Sequence, residues 1–122
     1  MLEALHQLKA EQEPTLSWRS SCRMGVCGSC GMFINDLPQL ACQTQVLHLG
    51  TDVVTIAPLP NYDNVKDLVP DLAPLIEKHA AVKPYIIYLD QIEIDTPTGE
   101  FIQTPDQREE FSQFTHCIKC GL

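Results

Sequence analysis

"SCRMGVCGSCGMFIN", residues 21–35, places three cysteines inside nine positions and then runs into a short apolar segment. Four residues separate Cys22 from Cys27, two separate Cys27 from Cys30, and a fourth cysteine, Cys42, follows after eleven more. The gaps hold small residues: Gly25, Gly28, Ser29 and, just beyond, Gly31. A disulfide knot, a zinc site and an iron–sulfur cluster all use cysteines this dense.

The flanking sequence shows what carries the stretch. Asn35-Asp36 lies between "GMFI" and "LPQLA", and both residues tolerate positive φ, so the spacing predicts a tight hairpin. "DVVTIAPLP" (52–60) is β-branched and closed by prolines, which predicts a strand. Upstream, Leu2, Leu5 and Leu8 recur at helical spacing and predict a helix over 2–12, stopped by Pro14. Downstream of Pro60, Val65, Leu68 and Val69 are spaced as one helical face that Pro70 interrupts. Asp71 is placed to cap a further helix with Pro74 in its first turn, and Leu72, Leu75 and Ile76 carry the apolar stripe to His79. "PYIIYLDQIEI" (84–94) fits a strand or an extended linker, and "TPTGE" (96–100) a turn. In "TPDQREEFSQF" (104–114), Thr104, Pro105 and Gln107 spell an N-cap, a first-turn proline and a capping box. That helix leads to two further cysteines, Cys117 and Cys120.

Composition narrows the chemistry. The 122 residues carry a net charge of −8 and 44% hydrophobic content, enough for a core. No lysine/arginine stripe exists to displace phosphate counterions, which argues against nucleic acid as a partner. No run approaches the roughly 20 apolar residues of a membrane helix. The N-terminal stretch is amphipathic and acidic, unlike an export signal, so the six cysteines are expected reduced and metal-binding rather than paired as disulfides.

C-x4-C-x2-C with a distant fourth cysteine is the spacing of a plant-type 2Fe–2S centre. One loop folds around a compact two-iron core while the fourth thiolate closes the site from another segment. Two ferric ions, two sulfides and four thiolates leave a double negative charge, which becomes triple on reduction. Amide donors therefore have to reach the sulfurs, and Gly25, Gly28 and Gly31 give the backbone the freedom to bring them there. Arg19 and Arg23 stand nearby to share in this stabilisation. A structural zinc site more often pairs two C-x2-C knuckles; only Cys27–Cys30 forms one here. Spacing favours the cluster and leaves the zinc-binding structural module as the alternative.

"SCRMGVCGSCGMFIN" with "PQLAC" (38–42) closely resembles the iron–sulfur subunit of the succinate dehydrogenase/fumarate reductase family, whose eleven-residue gap before the last cysteine is shared. "PNYDNVKDLVPDL" (60–72) and "KPYI" (83–86) look like the connection between the family's two domains. "QREEFSQFTHCIKCGL" (107–122) looks like the helix entering the second. The resemblance implies an α+β architecture: a β-grasp 2Fe–2S ferredoxin-like domain over 1–60, lacking its first hairpin, an interdomain connection over 61–104, and over 105–122 the start of an α-helical 4Fe–4S ferredoxin-like domain. Cys22, Cys27, Cys30 and Cys42 match the 2Fe–2S ligands, and Cys117 and Cys120 the first two ligands of the 4Fe–4S cluster. The 4Fe–4S and 3Fe–4S clusters are expected only in the full-length subunit, of which this chain reads as an internal fragment. The missing hairpin would leave the Leu2/Leu5/Leu8 face partly uncovered.

The implied function is electron relay between an FAD-containing flavoprotein and a quinone at membrane anchor subunits, with no substrate chemistry on this chain. Succinate dehydrogenase is preferred over fumarate reductase. The expected location is peripheral, on the cytoplasmic face of a bacterial inner membrane or the matrix side in mitochondria. The CIKCGL ending argues against a stand-alone ferredoxin.

Overall fold

The computed structural model of the chain describes residues 1–85, 87 and 103–122. The expectations for 84–94 and 96–100 therefore lie outside the described residues, apart from positions 84, 85 and 87. The chain divides into two compact units, Met1–Leu75 with Ile118–Leu122, and Ile76–Cys117.

In the first unit helix α1 spans Leu2–Glu11. Leu2 and Leu5, one turn apart, are 4% and 2% exposed, whereas Leu8 is 38% exposed. Two strands follow, β1 (Gly31–Ile34) and β2 (Leu37–Leu40), paired antiparallel with Gly31 opposite Leu40 and Ile34 opposite Leu37. Asn35 (φ 49°) and Asp36 (φ 62°) make the two-residue turn. Both are left-handed, so the turn twists as the strands do. Asn35 also ties in the third strand: its amide donates to the Thr55 carbonyl (2.8 Å) and its Oδ1 accepts from the Thr55 amide (2.9 Å).

Strand β3 is only Ile56–Ala57, pairing with Ile34 and Phe33 to give the sheet order β2-β1-β3. The strand expected over 52–60 is cut short. Pro58 and Pro60 have no N–H for a ladder, and the segment before Ile56 is hydrogen-bonded to the hairpin only at its turn, where Asn35 bonds Thr55 and Thr51. Met32 and Ile34, alternate residues of β1, join Leu2, Leu5, Cys30, Ala41 and Leu68 in the core. The helix and hairpin thus cover each other, and the uncovering expected for this helical face is confined to Leu8.

The helical face expected at Val65, Leu68 and Val69 does not form. Instead β4 (Asn64–Lys66) and β5 (Val69–Pro70) make a second, two-stranded sheet. Long-range bonds outweigh the local pattern. The Leu68 amide donates to the Ser17 carbonyl (3.1 Å), Asp67 Oδ2 accepts from the Ser17 amide (2.9 Å), and Lys66 Nζ donates to the Thr15 carbonyl (2.8 Å). These bonds hold Leu68 in the core, and Asp67 takes φ 48° at the bend.

Helix α2 spans Ala73–Ala81, with Asp71 Oδ1 accepting from the Ala73 amide (2.9 Å) and Pro74 in the first turn, as the pattern predicts. Helix α3, Pro105–Ser112, carries the expected capping box: Thr104 Oγ1 accepts from the Gln107 amide (3.2 Å) and Gln107 Oε1 accepts from the Thr104 amide (3.0 Å). A 3-10 turn over Gln113–His116 then leads to Cys117. Among the described residues, no helix is long and apolar enough to cross a membrane.

Candidate metal centre

The eleven-residue gap between Cys30 and Cys42 is the length of a hairpin. With a two-residue turn at 35–36 and Gly31 opposite Leu40, the register puts Cys30 across from Ala41, whose amide donates to the Cys30 carbonyl (3.0 Å). Cys42 is the next residue along. Residues far apart in sequence therefore meet because the turn fixes the pairing. The Cys42 amide donates to Cys30 Sγ at 3.4 Å.

The other two cysteines belong to the irregular loop ahead of β1. Arg23 (φ 58°), Gly25 (φ 75°) and Gly28 (φ 71°) all have left-handed backbones, which coil the loop back on itself. Gly31 departs from expectation, since it opens β1 without positive φ. The coiling aims amides at sulfur. Cys22 Sγ accepts from the amides of Cys27 (3.3 Å) and Met24 (3.5 Å), and Cys27 Sγ accepts from the Cys22 amide (3.5 Å). Gln43 Nε2 lies 3.8 Å from Cys42 Sγ. Each of the four sulfurs thus has an N–H donor, the provision that a negatively charged thiolate centre requires.

The cysteines come together two and two, Cys22 with Cys27 and Cys30 with Cys42. Among the described residues, no three His, Cys, Asp or Glu side chains converge on a point suited to one metal ion. A dinuclear iron–sulfur core takes two thiolates at each iron, so paired cysteines suit it. The residues present fit the two-iron group.

Electrostatics differ between the pairs. The Ser29 hydroxyl, followed by the amides of Cys22 and Ser29, lowers the Cys27 pKa to about 6. Cys27 is thereby mostly thiolate at neutral pH, the form in which cysteine binds metal. Burial pushes the Cys30 thiol the other way; the Cys42 amide opposes the rise and the Cys42 sulfur adds to it. Arg23 does not point at the sulfurs. Its guanidinium reaches toward α1, 3.6 Å from the Glu3 carboxylate and 3.4 Å from His6 Nε2. Trp18 packs against the core, with the His6 ring edge-on at 5.0 Å and Lys9 Nζ 5.6 Å above it.

The remaining two cysteines separate between the units. Cys117 is exposed and belongs to the second unit; Cys120 is half-buried and belongs to the first. Gln43 and Ser29 are sulfur partners that cysteine spacing does not identify. Their position next to Cys42 and between Cys27 and Cys30 was the available signal.

The family profile described as a 2Fe-2S iron-sulfur cluster binding domain matches residues 1–77. The chain belongs to this family. It is 45% identical over 130 residues to the fumarate reductase iron-sulfur subunit of Haemophilus influenzae, covering 100% of this chain and 50% of that protein. To the succinate dehydrogenase iron-sulfur subunit of Paracoccus denitrificans it is 42% identical over 121 residues, covering 99% of this chain and 45% of that protein. Among solved structures, the Mycobacterium smegmatis Sdh1 complex in the apo form has a chain similar at TM-score 0.78 and 32% identity, over 98% of this chain and 48% of that one. The chain spans about half the length of the curated relatives it matches. These relatives bear out the resemblance to the iron–sulfur subunits of the succinate dehydrogenase/fumarate reductase family.

Proposed function

We propose that this chain is the electron-carrying part of a succinate:quinone oxidoreductase iron–sulfur subunit, with Cys22 and Cys27 holding one iron of a 2Fe–2S centre and Cys30 and Cys42 the other. The observation that carries this reading is the pairing of the four cysteines, each sulfur facing an N–H donor. When bound, the centre accepts and releases one electron at a time. The chain's own part is to favour the thiolate at Cys27, to set amide dipoles against the charge that grows on reduction, and to bury Cys30 from water.

The partners in this reading are a flavoprotein carrying FAD and membrane anchor subunits where quinone binds, and the location is peripheral on the membrane. Residues 105–122 are the start of a helical 4Fe–4S domain, with Cys117 and Cys120 as its first two ligands. Succinate oxidation is the direction proposed. Fumarate reduction is the second reading, since iron–sulfur subunits of both enzymes are similar to this chain.

The test is low-temperature EPR of the anaerobically reconstituted, dithionite-reduced chain, with iron and sulfide assayed on the same sample. A spin-½ signal with two irons and two sulfides per chain, lost in Cys42→Ala, supports the assignment. One zinc per chain and no signal would overturn it in favour of a structural zinc module. Direction is read separately in the assembled complex, as the ratio of succinate-oxidising to fumarate-reducing turnover.

A further inference from the structure

Residues 118–122 belong to the same compact unit as the cysteine loop, and at Gly28 the contact between them is made of backbone. A Cβ at Gly28 would lie 2.6 Å from the Ile118 carbonyl oxygen and 2.7 Å from both the amide nitrogen and Cα of Cys120. None of these atoms rotates out of the way. At Gly31 a Cβ would lie 3.0 Å from the Cys120 carbonyl oxygen. Cys120 therefore rests across the two glycines that bracket Cys30 in sequence, its amide facing one and its carbonyl the other.

The far side of the segment is also held. Gly121 (φ 80°) lies so close to the Leu59, Leu72 and Tyr62 side chains that an added Cβ would meet them at 3.1, 3.4 and 3.4 Å. Lys119 (φ 54°) and Gly121 bend the chain on either side of Cys120. The segment thus lies between the cysteine loop and Leu59, itself buried.

We propose that Gly28 is the seat of the C-terminal cysteine segment: its missing side chain lets residues 118–122 close onto the loop and holds Cys120 against it. Gly28 is a positioning residue in this role, acting through the backbone of Cys120. Gly25 separates this from the loop's own need for glycine. It has nearly the same φ, 75° against 71°, yet the nearest atoms a Cβ there would meet belong to the flexible Gln43 side chain, at 3.0 Å. The two positions share the cost of left-handed backbone and differ in what they touch. What the seat serves, bringing a second redox site beside the first, rests on the electron-carrier reading; the seating does not.

The experiment is anaerobic alkylation of the full 122-residue chain by iodoacetamide, following Cys120 and the exposed Cys117 peptide by peptide in a mass spectrometer, with Trp18 fluorescence reporting the fold. In the parent chain Cys120 reacts more slowly than Cys117. Gly28→Ala raises the Cys120 rate about tenfold, toward that of Cys117, as a released terminal segment opens at almost no free-energy cost. Gly25→Ala leaves Cys120 within about twofold of the parent while losing comparable thermal stability from its strained φ. Gly121→Ala strains the segment from its own side, where its nearest neighbours are Leu59, Leu72 and Tyr62, and also exposes Cys120; it decides the matter if Gly28→Ala fails to fold. Equal rates for Cys120 and Cys117 in the parent chain would overturn the proposal. So would equal exposure of Cys120 in the Gly25 and Gly28 variants, or full protection in Gly121→Ala. A protected Cys120 in a chain that takes up no iron would leave the seat standing and remove the electron-carrier reading.

Discussion

Leu5→Ala and Leu8→Ala make the same chemical change on one helix face, and the structure sets them apart. Leu5 is 2% exposed and packs in the core with Met32 and Ile34; Leu8 is 38% exposed. Helix propensity changes equally in both variants, so it cancels. For Leu5, losing a fully buried side chain and leaving a cavity costs about 3 kcal/mol, within the range for buried leucines. For Leu8, only part of the side chain leaves water on folding and no closed cavity results, so the loss is about 1 kcal/mol. In a domain of this size the first corresponds to a fall in melting temperature of roughly 12–24 °C and the second to roughly 4–8 °C. The assay is urea unfolding followed by fluorescence of Trp18, the single tryptophan, which sits against His6 and Lys9 of α1 and so reports the docking of that helix. Midpoints should shift with an unchanged m-value. Equal shifts for the two variants, or a Leu5→Ala loss below about 1 kcal/mol, would show that α1 is not seated on the β1–β2 hairpin as described.

The turn residue Asp36 has φ 62°, a backbone that costs a non-glycine residue more than Gly. Asp36→Gly therefore raises stability by about 0.5 kcal/mol, the relief of strain outweighing the extra freedom of the unfolded chain, measured as a higher urea midpoint. Glu13 accepts hydrogen bonds from the Thr15 hydroxyl and amide, with Lys66 adding a smaller attraction, and its carboxyl titrates below the ordinary value. A carboxyl depressed in the folded state adds stability above its unfolded pKa and loses it as pH falls through the folded one. Thr15→Val removes the first of these bonds, so an NMR titration of Glu13 moves up toward the ordinary glutamate value; an unmoved titration would refute the assignment of cause.

Local chemistry alone dictates the helix over the first residues, the Asn35-Asp36 hairpin, the Thr104 capping box and the spacing of the four cysteines. Each is local: a period, a turn dipeptide, a cap or a count of residues, decided by the backbone preferences of the residues themselves. Even the meeting of Cys30 with Cys42 was legible, because a two-residue turn sets the register of everything beyond it. Tertiary structure decided what lay beyond local reach. Val65, Leu68 and Val69 have helical spacing, yet bonds from Ser17 and Thr15, some fifty residues away, hold them as a hairpin. The strand expected at 52–60 shrank to Ile56–Ala57 because only those residues found a partner in β1. Gly31 looked like a loop glycine, and its smallness is instead used by the Cys120 backbone. Spacing singles out the four cysteines proposed as ligands; only the packed chain shows them sorted into pairs, with an N–H donor at each sulfur and Cys120 laid across the loop, because those arrangements depend on segments that meet only after folding.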